Sequence, residues 1–254
     1  MTDTLVLAEL DGRPEIFYSL QGEGVSQGLP SVFVRLSGCN LQCHWCDTEY
    51  TWNWIGTPYA HAKDRPDHAA KHDRASVQCR RTPDEVAALV AQWPCRNIVF
   101  TGGEPLLQQA GLEQVARRLR SDDAEYEVEV ETNGTLLPSM DLDKSVTRYN
   151  VSPKLSHSRM PAAARLIPEV IRYFVESPKA TFKFVCADDA DAGEIREFQR
   201  AFRVEGRRIL LMPEATDSLT LEKRREPLFE LCKLRGWRYT DRLHVAIFGR
   251  RRGV

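Results

Sequence analysis

Three cysteines within eight residues, Cys39, Cys43 and Cys46 in the spacing Cys-x3-Cys-x2-Cys, constrain this chain more than any other feature. A loop that short can bring three thiols to one inorganic centre but cannot easily supply a fourth ligand. A structural zinc ion closes with four Cys or His ligands, and a ferredoxin-type cluster takes four thiolates. A cuboidal four-iron cluster held by three cysteines keeps one iron free. His44 is the nearest extra ligand for zinc, but ligand positions on both sides leave its ring little freedom to turn inward. On the triad alone, zinc with a distant fourth ligand and cysteines without a metal both stay open.

A chain of 254 residues is long enough for one sizeable α/β core, and a single domain is expected. Its 35 basic and 36 acidic residues leave a formal charge of −1, so no global field recruits nucleic acid or an anionic membrane. A small-molecule substrate fits better. Residues 1–13 lack the cationic start and apolar core of a secretory leader, and no later run approaches eighteen apolar residues. The expectation is a soluble, cytoplasmic protein. Seven cysteines, three of them clustered, suit a reducing compartment with a metal centre better than a disulfide framework. Cys79, Cys95, Cys186 and Cys232 have no motif spacing and read as small buried hydrophobes or surface thiols.

Strand-like runs begin at Glu15, Ser31, Asn97, Tyr126, Tyr149, Thr181 and Arg208, and helical periodicity fills most of the intervals after Thr82. Thr82-Pro83-Asp84-Glu85 is a capping box with Pro at the first helical position, which predicts a helix from Pro83 to about Gln92. Helices are further expected over 105–120, 161–175 with a break near Pro168, 190–202 and 219–234, and residues 237–248 as an extended segment. Strands alternating with helices imply parallel pairing through right-handed crossovers. The six from Ser31 onward count as core strands, with the Glu15 run flanking them, fewer than the eight of a closed barrel, so the expected fold is α/β, an incomplete (β/α) barrel open on one side. Residues 56–81 are rich in Lys, Asp, His, Arg and Ala without apolar periodicity, and read as a polar, mobile insertion or lid. His61, His68 and His72 fall within it.

Polar and glycine-rich departures recur at the C-terminal ends of successive strands: the cysteine loop, Thr101-Gly102-Gly103-Glu104-Pro105, Glu131-Thr132-Asn133-Gly134, Ser152-Pro153-Lys154 and Met212-Pro213-Glu214. In parallel α/β folds those ends form one face, where active sites are built. Gly103 can offer an unhindered carbonyl to an ammonium group and Glu104 can pair with that cation; the same residues also suit a tight strand-to-helix turn. Ser152 and Lys154 present a hydroxyl and a cation apt for a carboxylate. Arg35 interrupts an apolar strand and reads either as lining a cavity or as an exposed strand position. Lys183, between Phe182 and Phe184, points opposite the two aromatics, into solvent or into a site.

Together, Phe17-Tyr18-Ser19-Leu20-Gln21-Gly22-Glu23-Gly24, Arg35, Cys46-Asp47-Thr48, Thr101-Gly102-Gly103-Glu104-Pro105, Glu131-Thr132-Asn133-Gly134 and Val151-Ser152-Pro153-Lys154 resemble the 7-carboxy-7-deazaguanine synthases, a family of radical S-adenosylmethionine (SAM) enzymes. The triad and the Gly-Gly-Glu-Pro turn are shared by many radical SAM enzymes; the Leu-Gln-Gly-Glu-Gly entry and the Ser-Pro-Lys segment are more specific. The resemblance implies a lyase that converts 6-carboxy-5,6,7,8-tetrahydropterin to 7-carboxy-7-deazaguanine with loss of ammonia, by radical ring contraction, in 7-deazapurine and queuosine biosynthesis. It implies Cys39, Cys43 and Cys46 as ligands of a 4Fe-4S cluster and Thr48 as a Mg²⁺ contact. Leu20, Gln21, Gly22, Arg35 and Thr101 are similar to pterin-binding positions. Gly103, Glu104, Ser152, Pro153 and Lys154 are similar to SAM contacts, and Met212, Pro213, Glu214 and Ala215 match a further SAM segment more loosely. A homodimer and an electron donor such as flavodoxin are also implied. The tail 244–254 lacks the terminal proline that some members place at the substrate, so its arginines read as a solvated end.

Two other functions fit the triad. An activase that makes a glycyl radical on a protein partner would need a protein-docking surface in place of a pterin pocket, against which Gln21 and Arg35 argue. A non-catalytic iron-sulfur or zinc protein would need a fourth ligand.

Overall fold

The computed structural model of the chain describes residues 4–64 and 71–254. Six parallel strands lie side by side in chain order: Pro30–Leu36, Asn97–Gly102, Glu127–Thr132, Arg148–Val151, Ala180–Cys186 and Ile209–Pro213. A two-residue strand, Arg238–Tyr239, adds in parallel at one edge. At the other edge Leu5–Leu10 and Ile16–Leu20 pair antiparallel with Pro30–Leu36, and Gln78–Arg81 pairs with Leu5–Leu10. The edges do not pair with each other, so the α/β sheet is open, with the six core strands expected.

The two-residue period of a strand divides this sheet into two chemically different faces. Val32, Val34, Leu36, Ile98, Phe100, Val128, Val130, Tyr149, Val151, Phe182, Phe184, Ile209 and Leu211 point one way and fuse with the helices into one apolar cluster. The alternate positions, among them Arg35, Thr101, Glu129, Glu131, Asn150 and Lys183, point the other way. The strands are thus apolar on the helix face and carry polar and charged residues, buried or half-buried, on the opposite face.

The capping box forms as its sequence requires: Thr82 Oγ1 accepts from Glu85 N at 3.2 Å and Glu85 Oε2 accepts from Thr82 N at 2.7 Å. Three expectations need correction. Residues 243–248 are a helix, Leu243–Phe248, and only Arg238–Tyr239 of the expected extended segment is strand. Leu5–Leu10 is a strand the sequence reading did not single out. The insertion 56–81 is not uniformly unstructured, because Gln78–Arg81 belongs to the sheet through a four-residue register with Leu5, Val6, Leu7 and Ala8. Residues 65–70 of that insertion, His68 included, lie outside the described residues.

Candidate active site

A cavity of about 430 Å³ opens at the C-terminal ends of the parallel strands, and all three motif thiols line it. The loop that carries them is fixed by backbone at several points. His44 N donates to Ser158 O at 3.0 Å, Ala62 N to His44 O at 2.8 Å, and Gly38 N to Thr51 O at 2.8 Å. The His61 ring completes the brace. Its Nδ1 accepts from Lys63 N at 3.2 Å, which puts the ring proton on Nε2, and Nε2 donates to the Cys46 carbonyl at 2.9 Å. His61 is buried, and its contacts, with an Asn53 to Asp64 bond of 2.9 Å, tie residues 59–64 to the loop. The expected mobile insertion is thus anchored over the part of it next to the thiols.

Burial pushes all three thiols up, Cys43 to about 11. Among the described residues, no three Cys, His, Asp or Glu side chains converge tightly enough for a single ion. All seven cysteines are free. The indole N–H groups of Trp45 and Trp52, both on the cavity wall, are buried without a hydrogen-bond partner among the described residues. Trp237, by contrast, donates to Gln199 at 3.0 Å. Dry donors beside the thiols fit a sulfur-rich acceptor at that place.

The Gly-Gly turn presses directly on the start of this loop. Gly103 N donates to Leu36 O at 3.1 Å and Glu104 N to Gly38 O at 2.9 Å. Gly102 has φ +126°, and a Cβ on Gly103 would stand 2.0 Å from Gly38 O and 3.2 Å from Cys39 Cβ. Both glycines are therefore required by contact, the first also by conformation. Glu104 takes the turn-capping place that the sequence also allowed. It is fully buried, its carboxylate accepts from Leu106 N at 3.0 Å, Thr132 Oγ1 at 2.8 Å and Asn133 N at 2.7 Å, and it does not reach the cavity. These three donors make it the cap of the turn and a tie to the neighbouring strand end. Pro153, Pro213 and Ala215 likewise lie off the cavity wall, whereas Gly103, Ser152, Lys154, Met212 and Glu214 are on it. Lys154 Nζ donates to Ser152 Oγ at 3.0 Å and sits 5.7 Å from the Trp45 ring centre.

Leu20, Gln21, Gly22, Arg35, Thr48 and Thr101 all line the same cavity. Gln21 Nε2 donates to Glu129 at 3.1 Å and to Glu131 at 3.0 Å, and Thr101 Oγ1 donates to Glu131 Oε2 at 2.6 Å. Gly22 is compelled, since a Cβ there would meet His244 Nδ1 at 2.4 Å. Thr48 Oγ1 lies 3.5 Å from Cys46 Sγ.

A charged wall that sequence reasoning largely missed faces this set. Arg242 Nε donates to Glu23 Oε1 at 2.9 Å, and the same guanidinium pairs with Asp47 and with the Ala215 carbonyl. Glu23 also pairs with Lys183, which settles that residue as buried and inward-facing. Burial alone would raise the Glu23 carboxyl, but the Lys183, Arg242 and His244 charges outweigh it and hold it well below the usual carboxylate range. Asp47 remains open to the cavity, its carboxyl lowered because Arg242 overcomes the effect of burial. Beside this group Glu15 accepts from Arg35 Nε at 3.0 Å, from Arg252 Nη2 at 2.5 Å and from Tyr50 OH at 3.2 Å. The Arg252 guanidinium lies 3.6 Å from the Tyr50 ring centre. The tail is therefore docked into the cavity wall, not a solvated end. Strand-end chemistry and alternation had pointed to Glu131 and Lys183; nothing local could have found Arg242 or Arg252, whose carboxylate partners are about two hundred residues away.

Comparison with known proteins gives a consistent answer. Residues 33–159 match the Radical SAM superfamily. A 7-carboxy-7-deazaguanine synthase of Pyrobaculum aerophilum is 37% identical over 94% of this chain and 95% of its own length. Another, from Rhodopirellula baltica, is 33% identical over 94% of this chain and 87% of its own. Among solved structures, QueE from Escherichia coli superposes with a TM-score of 0.65 at 23% identity over 95% of each chain, a likeness of fold.

Proposed function

The chain belongs to the radical SAM superfamily and, within it, to the 7-carboxy-7-deazaguanine synthases, and from that premise we propose how its own residues serve that activity. It is a radical SAM lyase of 7-deazapurine biosynthesis, forming 7-carboxy-7-deazaguanine from 6-carboxy-5,6,7,8-tetrahydropterin with loss of ammonia. The observation that carries the reading is the sharing of one 430 Å³ cavity by three free thiols and by Gln21, Arg35, Thr101 and Glu131.

Cys39, Cys43 and Cys46 would hold the 4Fe-4S cluster. Bound together, cluster and SAM would supply the radical chemistry that activates a C–H bond of the pterin. Gly103, Ser152, Lys154, Met212 and Glu214 form the wall that would receive SAM, with Lys154 the cation for its carboxylate. Gln21, Thr101 and Glu131 present donors and acceptors on one side of the cavity, the arrangement a heterocycle edge requires. Their mutual hydrogen bonds pre-set the rotamers before a ligand arrives. Arg35 and the Arg242 guanidinium line that region, each held by carboxylates of this chain, and would offer donors toward the substrate carboxylate, while the docked tail forms part of the wall. Thr48 would contact Mg²⁺, a hard cation suited to its hydroxyl and to the open Asp47 carboxylate nearby.

The single domain, the homodimer, the flavodoxin-like donor and a cytoplasmic site rest on the resemblance and the composition. Among the described residues no helix is long and apolar enough to cross a membrane. Anaerobic turnover with dithionite, SAM, Mg²⁺ and the carboxylated tetrahydropterin tests the proposal. Product release of 7-carboxy-7-deazaguanine is expected; an intact cluster with no such product rejects it.

A further inference from the structure

Trp52 closes the cavity beside the third thiol. It follows the turn Glu49–Thr51, is 3% exposed, and lines the cavity together with Cys46. Two rings fix its plane edge-on, His61 at 5.8 Å and Tyr59 at 6.2 Å between centroids. His61 is itself pinned to the Cys46 carbonyl, so indole and thiol sit in one braced unit. A buried indole N–H ordinarily finds an acceptor. Trp54, two residues on, donates to Tyr50 O at 2.9 Å; Trp52 has no partner among the described residues.

We propose that the Trp52 indole N–H donates a hydrogen bond to the Cys46 sulfur when that sulfur is an iron-bound thiolate, and that this bond raises the reduction potential of the cluster. A neutral thiol is a weak acceptor and a thiolate a strong one. One-electron reduction adds negative charge to the cluster and its sulfurs, so a donor aimed at them stabilises the reduced form more than the oxidised form. The inference rests on the reading of the three thiols as cluster ligands and goes beyond it, since no role in ligation or in substrate contact is given to Trp52.

The experiment uses the full chain, reconstituted anaerobically, with an EPR-monitored redox titration of wild type and Trp52→Phe, which keeps the ring and removes the donor. At a fixed ambient potential the ratio of reduced to oxidised cluster is expected to fall about tenfold in the variant, equivalent to a midpoint about 59 mV lower. Full iron and sulfide content with an unchanged midpoint overturns the proposal. Should Trp52→Phe fail to hold iron, the wild-type protein labelled with ¹⁵N-tryptophan gives an independent answer by pulsed EPR. An indole nitrogen and its exchangeable proton coupled to the reduced cluster, and retained in Trp45→Phe, support the bond; no coupling overturns it. Wild-type protein that takes up no iron and sulfide under these conditions overturns the ligand reading and the proposal with it.

Discussion

Gly103→Ala should damage the metal centre without altering any ligand. The position has no positive φ, so alanine meets no conformational penalty there, in contrast to Gly102 at +126°. The obstacle is contact alone. A Cβ on Gly103 would lie 2.0 Å from Gly38 O, where real Cβ atoms stay beyond 3.0 Å, so the backbone at Gly38 must retreat by about 1 Å. Cys39 is the next residue, its Cβ 3.2 Å from the same point. The retreat breaks the 2.9 Å bond from Glu104 N to Gly38 O and loosens the 3.1 Å bond from Gly103 N to Leu36 O. Overpacking at about 1–3 kcal/mol and two hydrogen bonds at about 1 kcal/mol each give a destabilisation of about 3–5 kcal/mol. For a chain of this size that is roughly 6–20 °C in Tm. The assay is thermal unfolding together with iron and sulfide content after reconstitution. Gly193→Ala is the control: this exposed helical glycine has nothing within 4 Å of an added Cβ, and alanine should stabilise it by about 0.5–1 kcal/mol. A Gly103→Ala protein with wild-type Tm and full iron content would refute the claim that this turn sets the position of Cys39.

Glu23→Gln leaves the buried Lys183 and Arg242 without their shared carboxylate and should cost about 3–5 kcal/mol at pH 7, measured by urea unfolding. The folded Glu23 carboxyl lies below its ordinary value of 4.5, so its stabilisation is present above pH 4.5 and lost as pH falls beneath it; the variant should show a shallower acid loss than wild type, and an equal one would refute the assignment. Arg252→Met removes a 2.5 Å pair with Glu15 and a 3.0 Å bond to Glu9 O, and should raise KM for the pterin roughly tenfold at unchanged iron content; an unchanged KM would show the docked tail to be indifferent to substrate. His61→Ala should speed amide exchange across residues 59–64 about tenfold, read by mass spectrometry, and unchanged protection there would remove the brace.

What was legible in the sequence and what was not divides along a physical line. Period-two and period-3.6 patterns are local, and they gave the six core strands, the capping box at Thr82 and the long helices, because a buried face repeats wherever the chain runs. The strand ends were legible for the same reason: glycine and polar residues that interrupt an apolar run announce a ligand-facing turn, as they do at Gly102 and Gly103. Glu104 looked no different from its neighbours in sequence, and only the three donors converging on it from 106, 132 and 133 show that its charge belongs to the scaffold. Residues 56–64 misled in the opposite sense. Their composition is that of a solvated loop, yet His61 is buried because its acceptor, the Cys46 carbonyl, comes from a loop whose path composition does not encode. Arg242 and Arg252 follow the same rule at greater range. An arginine costs too much to bury unless its charge is answered, and the answers here, Glu23, Asp47 and Glu15, lie at the far end of the chain. Closing the sheet's polar face therefore takes both ends of the sequence at once: the tail supplies cations, the first strands and the cysteine loop supply anions, and the charged wall of the cavity is complete only when the two have met.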